Sequence, residues 1–455
     1  AFDGVEKENV VLEIPEIAIQ QYNSAPGWCE FKKITAHRKL VCRPSELKTL
    51  NGRTERQLVL DAEGKWEVMS KPDWCTLSAM SGEKKTELTL TIDAGSESRE
   101  GEIVFKLDEY DYTTTCRVAQ YYYEHEEDEE ITLQTHSRGK GINLVFLGDG
   151  FDAENISNGD YLRVMNEQME RFFDIEPYHT YRDYFNVSTA IAVSPESGIG
   201  TVNTVRNTKF ETTFTGGVGL RGNYSAIFNY AMEVSPVDES NLNQSLIVIT
   251  PNTIDYSGIT EMWTDGSAIA FCPLSEDSYP YDARGIIQHE AGEHGFGKLG
   301  DEYIYHNAFI DFCTCLCCEH TETINNAKAL GWYENLSLTG KMHEVPWSHL
   351  IFDDRYSDVV DIYEGGFKHA RGVFRSEQNS CMNNNISYYN AISREAIVKR
   401  IMEYAGESYS FEKFVENDKR DVVNSLSRSA ERSGVTVRGN QYAPRIHKGK
   451  PDILK

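Results

Sequence analysis

The residues best placed to do chemistry lie in one stretch, HEAGEHGFGKLGDEY, which begins at His289. It continues through Glu290 and His294 to an acidic pair at Asp301 and Glu302. Two imidazoles, a carboxylate beside the first of them and further acids downstream are what a catalytic zinc site requires. In such a site three protein groups hold the ion, water takes the open position, and a glutamate accepts the proton of that water. The stretch therefore predicts metal-assisted hydrolysis.

The two histidines are five positions apart rather than the usual four. In a regular α-helix five residues leave the two rings about 140° apart, too far around the axis to share one ion. A π-bulge widens the turn and returns the second ring to the same side, and such bulges favour functional sites. Small Ala291 and Gly292 lie where the backbone would have to widen. We therefore expect a π-bulge between His289 and His294.

The ligand set has alternatives. Glu290 and His294 stand at i and i+4, but that pairing would leave no carboxylate beside the ion and is less favoured. Gly297 is expected to end the helix and turn the chain back beneath the metal. Asp301, seven residues after His294, is then the favoured third ligand, with Glu302 or a distant residue as alternatives.

Four other residues are weaker candidates. Tyr388 or Tyr389 could stabilise the oxyanion that forms during hydrolysis. Asp149 and Asp152 follow an apolar run and could bind calcium, although a turn after a strand explains them equally well.

Strands and helices alternate in the second part of the chain, where the motif lies. The runs INLVFL at 142–147 and SLIVIT at 245–250 are continuously apolar, as buried central strands are. Apolar residues recur at helical spacing over 160–173 and 224–232. A later helix is expected to begin at Ser393, as its cap. The pattern predicts an α/β domain.

The first part of the chain has β periodicity. Alternating runs such as ELTLTI at 87–92 and EIVFKL at 102–107 are separated by turn-rich pieces, which predicts a small sandwich. The run EHEEDEE at 124–130 is too charged to be buried and predicts a solvated linker. The predicted organisation is a lead-in at 1–38, a β-sandwich at 39–121, an acidic linker at 122–131, a catalytic domain at 132–410 and a polar C-terminal appendage at 411–455.

Composition excludes several classes of protein. Hydrophobic residues make up 40% and charged residues 25% of the 455 residues, which is ordinary for a globular chain. We find no apolar run of the 18 or more residues that a membrane-spanning helix needs. The balance of 45 basic against 71 acidic residues gives a net charge of −26, which argues against a nucleic-acid partner. The sequence starts at Ala1 without an initiator Met, which fits either a removed signal or trimming.

Cysteine usage is uneven. The ten cysteines do not reach the density of a disulfide scaffold, yet four of them cluster within six residues: Cys313, Cys315, Cys317 and Cys318. Local disulfides or buried thiols are the favoured interpretation. A second metal site stays open, although the CxxC pairs that usually frame one do not surround this cluster.

The N-terminal β region resembles a BACON domain. The motifs that carry the resemblance are W-x-V at 66–68, P-x-W at 72–74, S-G at 81–82, R-x-G-x-I at 99–103 and V-x-Q at 118–120. The resemblance implies an immunoglobulin-like sandwich of the kind attached to secreted or surface enzymes, with possible glycan contact. Trp66 and Trp74 could stack on sugar rings, but a role in the core is favoured.

The second domain resembles the IgA-peptidase family of zinc metallopeptidases. The matching motifs, in order, are LGDGF at 147–151, EPY at 176–178, YFNV at 184–187, the histidine stretch at 289–303, YEGG at 363–366, GVFR at 372–375, SCMN at 380–383 and SREAI at 393–397. The residue inserted between the two histidines departs from the family pattern. The resemblance implies an α/β (α+β) metzincin-like metallopeptidase domain after the sandwich.

The resemblance also implies roles for individual residues. His289 and His294 would bind one zinc ion per chain, with Asp301 as the favoured third ligand, and Glu290 would act as general base and proton shuttle. The expected protein is a secreted, periplasmic or cell-surface endopeptidase that hydrolyses a protein or peptide, host proteins and glycoproteins included. The alternative is a non-catalytic surface protein in which the altered motif has lost zinc and the sandwich binds a glycan or host protein.

Overall fold

The computed structural model describes residues 5–15, 19–37, 39–107, 112–217, 219–310, 320–420 and 443–453. The chain forms two compact units, 1–124 and 125–455, which divide within the predicted linker 122–131. The clustered cysteines Cys313, Cys315, Cys317 and Cys318 lie outside the described residues. Within those residues, every helix is too short or too polar to cross a membrane.

The first unit consists mainly of β-structure. A two-stranded parallel sheet is followed by nine strands in two further sheets. The elements are β1 Val11–Pro15, α1 Ile19–Ser24, β2 Lys33–His37, β3 Leu40–Arg43, β4 Glu46–Leu50, β5 Thr54–Ala62, β6 Lys65–Ser70, β7 Cys75–Leu77, β8 Ser81–Glu83, β9 Thr86–Ile92, β10 Arg99–Leu107 and β11 Thr113–Tyr121. The lead-in predicted for 1–38 therefore contains regular structure, which its weak periodicity did not indicate.

The two larger sheets, β4-β11-β10-β6-β8 and β3-β5-β9-β7, share one apolar core. Alternate residues of β9 and β10 are buried, as expected for strands with one face in the core. Trp66 lies in this core with 1% of its surface exposed and packs edge-on against Phe105. A Cβ on Gly82 would lie 2.7 Å from the Trp66 ring, so the S-G motif makes room for this tryptophan. The preferred core role of Trp66 is confirmed.

The second unit is built around a seven-stranded sheet in the order β12-β14-β13-β17-β19-β18-β24. Strands β13, β14, β17 and β19 run parallel, while β18 is antiparallel to β19. The apolar runs predicted as central strands are β13 and β17, and both are buried. The strands of this sheet are β12 Glu130–Gln134, β13 Ile142–Asp149, β14 Phe185–Ala190, β17 Leu246–Pro251, β18 Ile259–Trp263, β19 Ala268–Phe271 and β24 Arg445–His447.

Helices and two smaller sheets complete this unit. The helices are α2 Ala153–Ser157, α3 Asp160–Phe173, α4 Tyr224–Glu233, α5 Ala283–Ile287, a π-helix Gln288–Gly297, α6 His320–Ala329, α7 Ser348–Ile351, α8 Cys381–Asn384, α9 Ala391–Ala405 and α10 Phe411–Asn417. The remaining strands are β15 Thr213–Gly216, β16 Gly219–Arg221, β20 Ile304–Phe309, β21 Leu336–Ser337, β22 Tyr363–Gly366 and β23 Lys368–Arg375. Helices α3 and α4 confirm the predicted helical periodicity.

The predicted cap of the late helix is wrong. Helix α9 begins at Ala391, and the side chain of Asn390 accepts a hydrogen bond from the backbone N–H of Ser393 at 2.9 Å. Asparagine and serine are both good N-cap residues, and the sequence offered both within four positions. The upstream asparagine is the cap because the helix extends one turn further back than the apolar spacing indicated.

The predicted C-terminal appendage, 411–455, is also corrected in its described residues. Strand β24 pairs with β18 and extends the central sheet. Glu261 on β18 is fully buried, and its carboxylate accepts hydrogen bonds from Arg445 at 2.9 Å and from His447 at 2.7 Å. Polar composition suggested a surface tail, but these polar groups bind a buried carboxylate instead.

Candidate metal centre

A buried π-helix carries the histidine motif. It follows α5 directly, and all ten residues from Gln288 to Gly297 are buried. A Cβ on Gly292 would lie 2.1 Å from the hydroxyl oxygen of Tyr389, so the helix and this ring approach closely because position 292 has no side chain. The predicted π-type widening between the histidines is confirmed. The helix ends at Gly297, as predicted, and Lys298 after it takes the left-handed conformation with φ of 57°.

The widened turn brings the two imidazoles together with one carboxylate. Nε2 of His289 and Nε2 of His294 lie 3.3 and 3.2 Å from Oδ1 of Asp301. The two rings have centroids 4.8 Å apart and are nearly perpendicular. Candidate ligand atoms of these three buried residues all lie within 4.8 Å of one another. Within the described chain, this is the one such group of three that could hold a metal ion.

The cluster has the features of a metal site. Nε2 of His294 and both carboxylate oxygens of Asp301 are buried and have no hydrogen-bond partner among the described residues. Unpaired buried polar atoms are costly unless something else binds them. Two ligands on a tetrahedral zinc ion with bonds of 2.0–2.2 Å are about 3.3–3.5 Å apart, close to the separations found here. The donor set therefore fits a zinc-like ion.

Backbone carbonyls orient both imidazoles. Nδ1 of His289 lies 3.2 Å from the carbonyl oxygen of Cys381, and Nδ1 of His294 lies 2.7 Å from that of Leu299. A carbonyl oxygen can only accept, so each Nδ1 carries the proton and each Nε2 keeps its lone pair. That lone pair faces Asp301. The outer contacts thus select the tautomer that a metal ligand needs.

Of the two neighbouring acids, Asp301 rather than Glu302 reaches the histidines. Oε1 of Glu302 accepts hydrogen bonds from the side-chain amides of Asn335 at 2.9 Å and Asn390 at 2.8 Å. Its Oε2 accepts one from Ser380 at 2.5 Å. Burial opposes ionisation of Asp301, but the neighbouring imidazoles of His294 and His289 outweigh it and lower the pKa of this carboxyl. An ionised Asp301 beside two imidazoles is the arrangement that a cation would stabilise.

Glu290 is buried beside the cluster. The hydroxyl of Thr260 lies 2.9 Å from its Oε2 and 2.8 Å from its backbone oxygen. A Cβ on Gly258 would come within 2.9 Å of the Glu290 side chain, so this glycine leaves space for it. Burial raises the pKa of Glu290, and the neighbouring histidines offset part of that effect. A buried carboxyl with a raised pKa binds a proton more readily than a free one, as a general base must.

The two tyrosines predicted as candidates are engaged elsewhere. The hydroxyl of Tyr388 donates to Glu377 at 2.6 Å, and that of Tyr389 donates to the carbonyl of Gln288 at 2.7 Å. Tyr303 is the tyrosine beside the cluster. Its ring stacks on that of His289 with centroids 6.5 Å apart, and its buried hydroxyl lacks a hydrogen-bond partner in the described ranges.

The predicted calcium ligands have structural roles. The carboxylate of Asp149 accepts five hydrogen bonds, from the backbone N–H groups of Gly150, Phe210 and Thr212 and the hydroxyls of Ser194 and Thr208. Asp152 caps α2 by accepting from the backbone N–H groups of Glu154 and Asn155. Protein donors therefore occupy both carboxylates, and the alternative of a turn after the strand describes them better than calcium binding.

Models of known families match part of each unit. The sequence model of IgA Peptidase M64 matches residues 131–316. The match covers 186 of the 455 residues, and over that stretch the chain is similar to IgA Peptidase M64. Peptidases of this family are metallopeptidases, so the match supports a peptidase with a metal site, in line with the cluster above. The BACON model, an N-terminal binding domain, matches residues 64–120 of the first unit.

Other comparisons are weak. No curated protein matches the chain. A Bacteroides ovatus GH5 xyloglucanase structure is 16% identical with a TM-score of 0.19, over 24% of this chain and 26% of that one. The C. elegans protein WR4, an MSP family member, is 13% identical with a TM-score of 0.16, over 19% and 100%. A Clostridium perfringens family 123 glycoside hydrolase is 10% identical with a TM-score of 0.14, over 45% and 43%. The chain thus spans about a quarter of the xyloglucanase, and none of these likenesses carries a functional argument.

Sequence reasoning missed several residues of the M64 site. The carbonyls of Cys381 and Leu299 orient the imidazoles, Thr260 holds Glu290, and Tyr303 lies against His289. Backbone carbonyls carry no signal in the residue type. Thr260 is thirty positions before Glu290 and belongs to a strand, so only the fold brings the two together.

Proposed function

We propose that this protein is a zinc-dependent endopeptidase in which His289, His294 and Asp301 hold the ion and Glu290 is the general base. The observation that carries the proposal is the buried trio itself. Its ligand atoms face one another, and those of His294 and Asp301 lack hydrogen-bond partners within the described chain. The adjacent glutamate and the M64 match support the same chemistry.

The donor set favours zinc over harder ions. Two imidazole nitrogens and one carboxylate oxygen are typical of catalytic zinc, whereas calcium and magnesium prefer all-oxygen sites. When bound, zinc would supply a Lewis acid that polarises the scissile carbonyl and acidifies water. Three protein ligands leave a coordination position open for these roles, as catalytic zinc sites do.

The residues of this chain would handle the protons. Glu290 accepts a proton at its carboxylate when water attacks the peptide carbonyl, and then gives it to the leaving amine. Thr260 restrains that carboxylate, and the raised pKa of Glu290 makes it able to both accept and release a proton. The carbonyls of Cys381 and Leu299 keep the two Nε2 atoms unprotonated.

The surrounding architecture is part of the proposal. We assign the second unit a metzincin-like α/β fold and the whole protein a secreted, periplasmic or cell-surface location, with a protein or peptide as substrate. The first unit would act as a binding module, possible partners being glycans or host proteins. Trp66 is buried, and half-buried Trp74 packs against the same core and lies beneath the guanidinium of Arg99 at 4.5 Å.

Two variants test the mechanism. Glu290→Gln should bind as much zinc as the unchanged chain and lose hydrolysis of a mixed peptide library by at least about 100-fold, since general acid–base catalysis contributes about 10²–10⁴-fold. His294→Ala should bind one zinc fewer per chain and be equally inactive. Mass spectrometry of the library products would show whether internal bonds are cut.

The non-catalytic alternative makes a different set of predictions. A chain that binds no zinc at its histidine motif would bind the same amount before and after His294→Ala, and would leave the library intact. Glu302→Gln serves as a matched control, because Glu302 is not among the proposed ligands and the glutamine oxygen can still accept hydrogen bonds from Asn335 and Asn390. Hydrolysis retained in Glu290→Gln would contradict the proposed role of this glutamate.

A further inference from the structure

Two buried cysteines of the first unit lie on strands of different sheets. Cys42 is on β3 and Cys116 is on β11. These residues are 2% and 0% exposed, and both belong to the apolar core that the two sheets share. Both are free thiols in this structure. Each of the two sheets therefore contributes one of these thiols to the same core.

The chain crosses between the two sheets directly after Cys42, and this crossing lies beside Cys116. Two residues separate β3 from β4, which belongs to the sheet of β11. One of them, Ser45, accepts a hydrogen bond at its carbonyl from the backbone N–H of Arg117 at 2.9 Å. The other, Pro44, has its carbonyl oxygen 3.8 Å from Sγ of Cys42. Some α-carbons of β3 and β11 accordingly lie within 8 Å of one another, whereas facing sheets are usually about 10 Å apart.

The two thiols are close enough to change each other's acidity. Hydrogen bonding between them lowers the pKa of the Cys42 thiol and raises the pKa of the Cys116 thiol, which burial raises further. Cys75, a third buried cysteine, is on β7 at the opposite edge of the sheet from β3. It acts on Cys116 through its charge rather than through a hydrogen bond. Cys42 and Cys116 are therefore the two thiols in contact.

We propose that Cys42 and Cys116 are a covalent modification site, at which a small-molecule disulfide such as oxidised glutathione converts them to an inter-sheet disulfide. A disulfide needs α-carbons about 4.4–6.8 Å apart, a separation close to the approach of β3 and β11. The bond would tie residue 42 to residue 116 and restrict the unfolded chain between them. Such bonds persist in oxidising compartments, to which the proposed location assigns the protein. The site lies in the first unit, apart from the metal centre of the second.

Cys42 is the thiol that reacts first. Strand β3 stands at the edge of its sheet and pairs with β5, so local opening of this strand exposes Cys42 to solvent. Its thiolate attacks one sulfur of oxidised glutathione, breaks the S–S bond and releases one glutathione as a thiol. Cys116 then attacks the Cys42 sulfur of the mixed disulfide and releases the second glutathione. The two protein thiols thus lose two protons and two electrons, which leave on two glutathione thiols.

Peptide mapping of the full-length chain tests this inference. The reduced chain is equilibrated with oxidised glutathione, its remaining thiols are alkylated in denaturant, and trypsin then cuts it without a reducing agent. Trypsin does not cut before proline, so Cys42 falls in peptide 40–48, Cys116 in peptide 107–117 and Cys75 in peptide 66–84. We expect peptides 40–48 and 107–117 to appear as one linked species that dithiothreitol separates. Peptide 66–84 should be alkylated and unlinked.

Variants and melting temperatures complete the test. Cys75→Ala is the matched control, because it removes the third buried thiol of the same core and should keep the linked species. Cys42→Ala should leave Cys116 alkylated. Oxidation should raise the melting temperature of the first unit by about 10 °C in the unchanged chain and leave that of Cys42→Ala unaltered. The inference is overturned if peptides 40–48 and 107–117 of the unchanged chain are both alkylated, or if Cys116 is linked to Cys75 instead.

Discussion

Among the acids of the motif, Asp301 is the one on which binding of the proposed catalytic ion depends most. Its two oxygens are buried beside both imidazoles and have no hydrogen-bond partner in the described chain, so a cation is the natural counterpart of its charge. Glu302 is equally buried, but two amides and a hydroxyl already satisfy its oxygens. The two adjacent acids therefore differ in role: Asp301 is the proposed metal ligand, and Glu302 is held by hydrogen bonds from other side chains.

This difference predicts unequal effects on zinc affinity. Asp301→Asn should weaken zinc binding at the M64 site by more than about 100-fold, because it removes a charged ligand. Glu302→Gln should weaken it by at most about 10–100-fold, the range for groups that act through a ligand. Competition against a chromophoric chelator measures both affinities. The reverse ranking would assign Glu302 as the ligand.

At the scale of residues, the sequence predicted which side chains form the cluster better than it predicted their contacts with the rest of the chain. The spacing of His289 and His294, with a glutamate between them and acids downstream, was enough to predict which side chains gather. The preference for Asp301 over Glu302 could not be proved from spacing, because both follow the helix within one residue of each other. It depends on where Asn335, Ser380 and Asn390 come to lie, and these arrive from distant parts of the chain.

At the scale of elements, the π-helix depends on close approach of a neighbouring ring. Gly292 faces Tyr389, and the hydroxyl of Tyr389 donates a hydrogen bond to the carbonyl of Gln288. The carbonyl of Gly292 accepts a hydrogen bond from the hydroxyl of Tyr178 at 2.6 Å. Both tyrosines therefore donate hydrogen bonds to backbone carbonyls of the π-helix that carries His289 and His294. Their hydroxyls thus help to satisfy a helix whose hydrogen bonding is not that of a regular α-helix.

Gly292→Ala should therefore destabilise the protein by about 1–3 kcal/mol, the usual cost of overpacking a core. The new methyl group would meet the Tyr389 hydroxyl at 2.1 Å. Urea unfolding measures the loss. In a Tyr389→Phe background the same substitution should cost less, because the nearest atom has been removed. Equal costs in the two backgrounds would show that the methyl group clashes elsewhere, the Tyr178 ring at 3.2 Å being the next neighbour.

The central elements have strong periodicity and were predictable from the sequence, whereas the elements with weak local signals were not. The apolar runs of β13 and β17 and the helical spacing of α3 and α4 match the structure because burial selects them. Among the side chains of the short strands β1 and β2 whose burial is described, Ile14 alone is buried, so little burial imposes a pattern on them. Strand β24 is three residues long and polar, and it joins the sheet through pairing with β18 and through Glu261.

At the scale of the whole molecule, the division at Glu124 predicts a second unit that folds alone. A fragment that begins at His125 should melt cooperatively and keep any peptide hydrolysis. A fragment that begins at Glu130 should be less stable, because it lacks Asp128, whose carboxylate accepts hydrogen bonds from Lys209 at 2.8 Å and Tyr230 at 2.7 Å. Circular-dichroism melting compares the two fragments with the full chain. Failure of both to fold would mean that the first unit is part of the catalytic core.

Strand β24 also determines when the second unit can be finished during synthesis. Residues 445–447 pair with β18, a strand made almost two hundred residues earlier, so the growing chain must wait for them to leave the ribosome. Three groups donate hydrogen bonds to the Glu261 carboxylate in the finished unit: Tyr224 at 2.7 Å, Arg445 and His447. Before residue 445 is made, Tyr224 is the one of these three that the chain already contains. A nascent chain stalled before residue 445 thus holds an acid without its two basic partners at an open sheet edge, and unpaired strand edges make unfinished chains prone to aggregation.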